Sequence, residues 1–168
     1  MNSFETTGTV DENILKELKT FLMNKKEKTL ILSARFIAMI LGFFFLYLRK
    51  YGIAIIFFSG AMIFILEYYI LLNKILKVNL KKMEESNGST SIKYTTSLGK
   101  TYVNLFNHNS GTQIQIAYGN FIKMTETKHV IALFTESNQF IVIFKEDLFD
   151  SQIQGCMDFL KSKCKNLV

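Results

Sequence analysis

Residues 30–72 read LILSARFIAMILGFFFLYL, then RKY, then GIAIIFFSGAMIFILEYYILL, and this stretch decides the fold. Each apolar run, 30–48 and 52–72, is about twenty residues long, enough helix to cross the roughly 30 Å hydrocarbon core of a bilayer. In lipid every backbone amide has to be satisfied within its own segment, so such runs read as spanning helices rather than loops or open strands. Only Arg49-Lys50-Tyr51 separates them. The expectation is a two-helix transmembrane hairpin over residues 29–73 with polar flanks.

Charge orients the hairpin. Lys25, Lys26 and Lys28 precede the first run; Lys74, Lys77, Lys81 and Lys82 follow the second; the turn offers only Arg49 and Lys50. Cytoplasmic flanks collect Lys and Arg, so seven against two places both termini of a multi-pass membrane protein in the cytoplasm. Tyr47 and Tyr51 bracket the turn and Tyr68 and Tyr69 stand at the other depth, as interfacial aromatic belts do. Most of the +6 net charge lies beside these runs. From Ser89 onward eight lysines face six acidic residues, so the basic balance speaks for a membrane anchor and against a nucleic-acid surface.

The flanks divide into three. Residues 1–28 form a polar segment, in which Thr9 and Glu12 match a capping box. Behind that box Ile14, Leu15, Leu18, Phe21 and Leu22 share one helical face, so an amphipathic helix is expected over about 10–23, packed on the rest of the protein. Residues 74–88 continue the second spanning helix as a basic juxtamembrane stretch, ended by Gly88 after Asn87. Residues 89–168 change texture. Six β-rich runs (91–96, 100–106, 112–118, 121–125, 129–134 and 140–144) alternate with turn clusters, the pattern of an antiparallel meander. A last helix follows, with Ser151 and Gln154 as its capping box. Its stripe of Ile153, Cys156, Met157, Leu160 and Cys164 suits it to plug a curved sheet. The fold class is therefore an α+β membrane protein, a hairpin followed by a pleckstrin-homology-like (PH-like) β domain closed by a C-terminal helix. Cys156 and Cys164 are eight positions apart on one helix, about 12 Å, too far for a disulfide.

Residues 122–134, IKMTETKHVIALF, and 140–145, FIVIFK, resemble the C-terminal core of the YcxB-like family. These are small bacterial membrane proteins with a two-helix hairpin and a PH-like cytoplasmic domain. The resemblance extends to the whole plan, since the family also opens with a short polar segment and an amphipathic helix. Members often carry Pro-Lys after the last strand, where this chain has Phe144-Lys145. The resemblance implies the fold and brings no catalytic residues with it.

Within the two runs Arg35 and Glu67 are the only charged side chains. With the turn as centre they stand at equal depth, as do Gly42 and Gly60. Arg35, Ala38 and Gly42 share one helical face, and Gly60, Phe64 and Glu67 share another. Ala34, Ala38 and Gly42 form a small-xxx-small pattern that lets helices approach closely. The expectation is a seam of Ala34, Ala38, Gly42 and Gly60 closed by an Arg35–Glu67 ion pair, since a lone charge in lipid costs a few kcal/mol. Lys74, Lys77, Lys81 and Lys82 are candidates for contact with anionic lipid headgroups, each worth about 1 kcal/mol.

Catalytic motifs fail on inspection. Gly99-Lys100-Thr101 ends like a P-loop, but Tyr94 occupies the place of the required first glycine. Ser97 and Lys100 fit S-x-x-K without any accompanying motif. His108 and His129 have no second ligand at metal spacing. No enzymatic activity, cofactor or metal is expected. The function class that remains is a membrane-anchored adaptor binding a protein partner through the strand edges and the loops 107–111 and 135–139. The alternative is an immunity or stress protein whose hairpin acts within the bilayer on another membrane protein.

Overall fold

The computed structural model describes residues 4–137, 139–164, 166 and 167. Along the chain run β1 (Glu5–Val10), α1 (Glu12–Leu22), α2 (Lys25–Tyr47), α3 (Tyr51–Asn87), β2 (Ile92–Leu98), β3 (Tyr102–Asn107), β4 (Gln113–Ala117), β5 (Phe121–Glu126), β6 (Val130–Thr135), β7 (Phe140–Phe144) and α4 (Asp150–Lys163). They divide into two compact units. One joins the residues up to Leu18 to those from Asn79 onward; the other is Lys19–Val78.

The first unit holds all the strands, in a four-stranded sheet ordered β1-β2-β3-β4 and a three-stranded sheet ordered β5-β6-β7. All pairings are antiparallel. The six strands expected after Ser89 are β2 to β7. The seventh, β1, is an addition: Glu5–Val10 lies within the polar N-terminal segment of the sequence reading, yet it pairs with β2 from Glu5↔Ser97 to Val10↔Ile92. The β domain is thus discontinuous, interrupted between its first two strands by everything from Asp11 to Ser91.

Three details of the sequence reading change with it. Thr9 belongs to β1, and the cap of α1 is Asp11, whose carboxylate accepts from the N–H groups of Asn13 (2.9 Å) and Ile14 (3.0 Å). Such a cap satisfies amides that a helix start leaves without partners. α4 starts one residue before Ser151, and it is Gln152, not Gln154, whose side chain reaches back to accept from the Phe149 N–H (3.0 Å). Gln154 bonds Asp158 instead. Gly88, at φ 67°, stands just beyond α3 as its sequence position implies, in a conformation glycine adopts without strain.

α4 lays its stripe on the strands. Cys156, Leu160 and Cys164 share the main core with Leu98, Val103, Phe121, Ile131 and Ile143, while Ile153 and Met157 pack at its margin. Both cysteines are free, and burial pushes their thiols up to about 11. β6 is buried at every residue, so both faces of its sheet are covered. The register-paired Thr6 and Thr96 join the two sheets. Thr96 Oγ1 donates to the Val142 carbonyl (2.7 Å) and Thr6 Oγ1 accepts from the Phe144 N–H (3.2 Å). These hydroxyls satisfy two backbone groups on the outer edge of β7 that the β6 pairing leaves free.

The second unit is a helical hairpin. At its turn the Arg49 N–H donates to the Leu46 carbonyl and the Lys50 N–H to the Phe45 carbonyl, both at 2.9 Å, with Arg49 left-handed at φ 56°. That bonding is the Schellman pattern, which satisfies the last carbonyls of α2 and reverses the chain in three residues. α2 and α3 are both long and apolar enough to cross a membrane, with mean hydropathy of 2.2 and 2.1 over their most apolar windows. Only 11% of each window is buried, which sets these helices apart from the core helices of a water-soluble domain.

Candidate functional site

Packing within the hairpin follows from small residues and rings. On α2, Ala38 and Gly42 are buried, with Ala34 half-buried on the same side. On α3 the buried positions are Ala54, Ala61, Leu72 and Leu76. The Phe58 ring sits in the notch that Gly42 leaves: a Cβ on Gly42 would lie 2.9 Å from it. Phe57 stacks on Phe45 at 5.4 Å between centroids, and Phe43 meets Phe58 edge-on at 5.3 Å. Residues equidistant from the turn therefore do stand level.

Two expected seam members fall elsewhere. A Cβ on Gly60 would meet nothing within 4 Å, so it does not oppose Gly42. Arg35 and Glu67 are not paired: Arg35 is half-buried, Glu67 is exposed, and among the described residues neither takes part in an ion pair. The reason is rotational. The packed face of α3 centres on Ala61, and at about 100° per residue Glu67 lies about 120° away from it. Lys74, Lys77, Lys81 and Lys82 are all exposed on α3, with Lys81 3.5 Å from Glu85 one helical turn on.

The β domain carries a second constellation, at the β5–β6 turn. Lys145, just after β7, reaches back to Glu126 Oε1 (2.7 Å) and to the Thr127 carbonyl (3.1 Å). Its own N–H donates to the His129 carbonyl (2.9 Å). From the other side Glu17 of α1 holds the turn, bonding His129 through both the imidazole Nδ1 and the backbone N–H. Burial alone would raise the Glu17 carboxyl, but hydrogen bonds from Thr127 and His129 and the attraction of the imidazole bring it below its ordinary value. Beside this turn lies an open cleft of about 500 Å³. Lys128, Glu146 and Asp150 give it charges of both signs, and Leu148, Ile153 and Met157 give it apolar walls.

Of the loops named as contact surfaces, 107–111 is held from within. Asn107 accepts from the N–H groups of Asn109 and Ser110 and donates to Asn87. In the loop 135–139, Asn138 lies outside the described residues; the Thr135 hydroxyl bonds Ser137 (3.0 Å). His108 bonds Thr95 (2.8 Å). Among the described residues no group of three His, Cys, Asp or Glu side chains is placed to hold a metal ion. The Glu17–His129 contact has no local signal in the sequence, since 112 positions separate its partners.

Residues 104–155 match the family model described as YcxB-like protein. The matched span begins inside β3, ends inside α4, and contains the β5–β6 turn with Lys145, along with the two segments that carry the resemblance in sequence. No curated protein and no solved structure gives a significant match to the chain.

Proposed function

We propose that this YcxB-like chain is a membrane-anchored binding module. Its hairpin spans a bacterial inner membrane and holds a PH-like domain at the cytoplasmic face, where the domain binds a protein partner and catalyses nothing. The observation that carries the reading is the pairing of β1 with β2. One strand precedes the hairpin and the other follows it, so both flanks belong on the same side of any membrane the hairpin enters. A two-pass hairpin meets that condition. Insertion is further supported by the exposed apolar side chains along both helices, among them Leu30, Phe36, Phe43, Ile56, Ile63 and Ile70. Lysine placement puts the flanks inside.

Four strands, then three, then a closing helix is the layout that supports the PH-like assignment. The near balance of charge in the domain favours a protein partner, and the cleft beside the β5–β6 turn joins the loops 107–111 and 135–139 as contact surface. The test exchanges the hairpin for an unrelated two-helix anchor of equal length and orientation, then crosslinks in cells from the β domain. The same partner captured by both forms supports an adaptor. A partner lost from the exchanged form, while its β domain stays folded, contradicts it and assigns the activity to the hairpin within the bilayer.

A further inference from the structure

The hairpin leaves two opposite charges at one depth without partners. Neither Arg35 nor Glu67 has an ion pair or hydrogen bond among the described residues. Counted at about 100° per residue, Arg35 lies about 60° from the buried Ala38 and Glu67 about 120° from the buried Ala61. Because α2 and α3 run antiparallel, these offsets bring the two side chains out on opposite flanks of the hairpin. Arg35 lines a surface groove of about 650 Å³ whose other walls include Leu32, Phe36, Ile37 and Met39. Glu67 stands among exposed apolar neighbours, Ile63, Leu66 and Ile70. A charge in such surroundings is retained in membranes where it meets a partner. Arginine can also reach toward the interface, whereas glutamate is too short to reach far.

We infer that the partner is a second copy of this chain, with Glu67 of one copy entering the Arg35 groove of the next. The inference rests on the bilayer reading proposed above. Copies inserted with one orientation carry both groups at the same distance from the turn, so the charges meet without vertical offset. The flanks fix the symmetry. A two-fold axis along the membrane normal would set Arg35 against Arg35, so the contact is heterologous, joining one flank to the other.

The full-length chain, carrying two different tags, is reconstituted in phosphatidylethanolamine–phosphatidylglycerol vesicles and washed with alkaline carbonate. Wild-type copies with different tags should then co-purify. Arg35→Glu alone and Glu67→Arg alone should each lose self-association by about tenfold or more. Mixing the two variants should restore it, because each offers the charge that the other lacks; an ion pair within one chain gains nothing from mixing. The neutral changes Arg35→Met and Glu67→Gln should weaken association as well, which covers any failure of the reversed charges to insert. Wild-type copies that stay monomeric by single-molecule photobleaching, or variants that associate like wild type, overturn the inference while leaving the anchor intact. So does a mixture that fails to associate. A chain stripped from vesicles by carbonate overturns the bilayer reading itself.

Discussion

Gly8→Ala should open the β domain at its seam. Gly8 lies in β1 beneath the ring of Phe144, and a Cβ built there would come within 2.4 Å of two ring atoms and 2.7 Å of a third. The ring has little freedom to withdraw: Phe144 is 6% exposed and Thr6 holds its backbone N–H. Forcing a methyl into such a contact costs roughly 1–3 kcal/mol. For amides that exchange through opening of the seam, this is about 5- to 150-fold faster exchange. The assay is amide exchange by mass spectrometry on the full chain in lipid, comparing β1 and β7 with α2 as an internal reference. Phe144→Ala costs about 3–5 kcal/mol by itself but removes the obstacle. Gly8→Ala should therefore be nearly neutral in that background. Equal effects of Gly8→Ala with and without the ring would refute the reasoning.

Leu160→Ala, at a fully buried position of α4, should destabilise the β domain by about 2–5 kcal/mol in denaturant titrations. Glu17 titrates below its ordinary value in the folded chain, so its contribution is present above its unfolded value and is lost as pH falls through the folded one. Protection of the β5–β6 turn amides should fall as pH drops below about 4.5, and Glu17→Gln should flatten that dependence. In the hairpin, Gly60→Ala should be neutral or stabilising by up to about 1 kcal/mol through helix propensity. Gly42→Val, which crowds Phe58, should weaken the hairpin by roughly 1–3 kcal/mol; thermal unfolding in lipid separates the two.

What could be read from the sequence was local and periodic. β2 to β7, the stripe of α4 and the two apolar helices announce themselves through spacing. β1 does not. Glu5-Thr6-Thr7-Gly8-Thr9-Val10 is polar, and its partner strand begins 82 positions after Val10, at Ile92. Its one signal was four β-branched residues in six, at Thr6, Thr7, Thr9 and Val10. Two capping boxes were misplaced because S/T-x-x-E/Q marks a helix start without excluding a better cap beside it, here Asp11 and Gln152. The α3 seam was misread for another reason. Around a helix that is apolar on all sides, hydrophobicity does not distinguish the packed face from the exposed one. Ala61 and Gly60 were both small enough, and it is Ala61 that the hairpin buries. The clasp from Glu17 to His129 leaves no local pattern at all.

One β domain built from the chain before and after an apolar helical hairpin is the central claim, and a disulfide tests it most directly. Thr7 and Thr95 pair across β1 and β2 with their hydroxyls 2.8 Å apart. The Leu98 N–H donates to the Phe4 carbonyl three pairs away, so alternation makes Thr7↔Thr95 a non-hydrogen-bonded pair, where side chains approach closely enough for a disulfide. Thr7→Cys with Thr95→Cys, in the full chain in native membranes under mild oxidant, should crosslink within the molecule. A faster band on a non-reducing gel reports it, with Cys156 and Cys164 buried and silent. Thr9→Cys with Thr95→Cys, shifted by two residues, should crosslink far less. If Thr7→Cys and Thr95→Cys stay reduced and open to alkylation, or react from opposite faces of the membrane, the two strands do not share a sheet and the account is wrong.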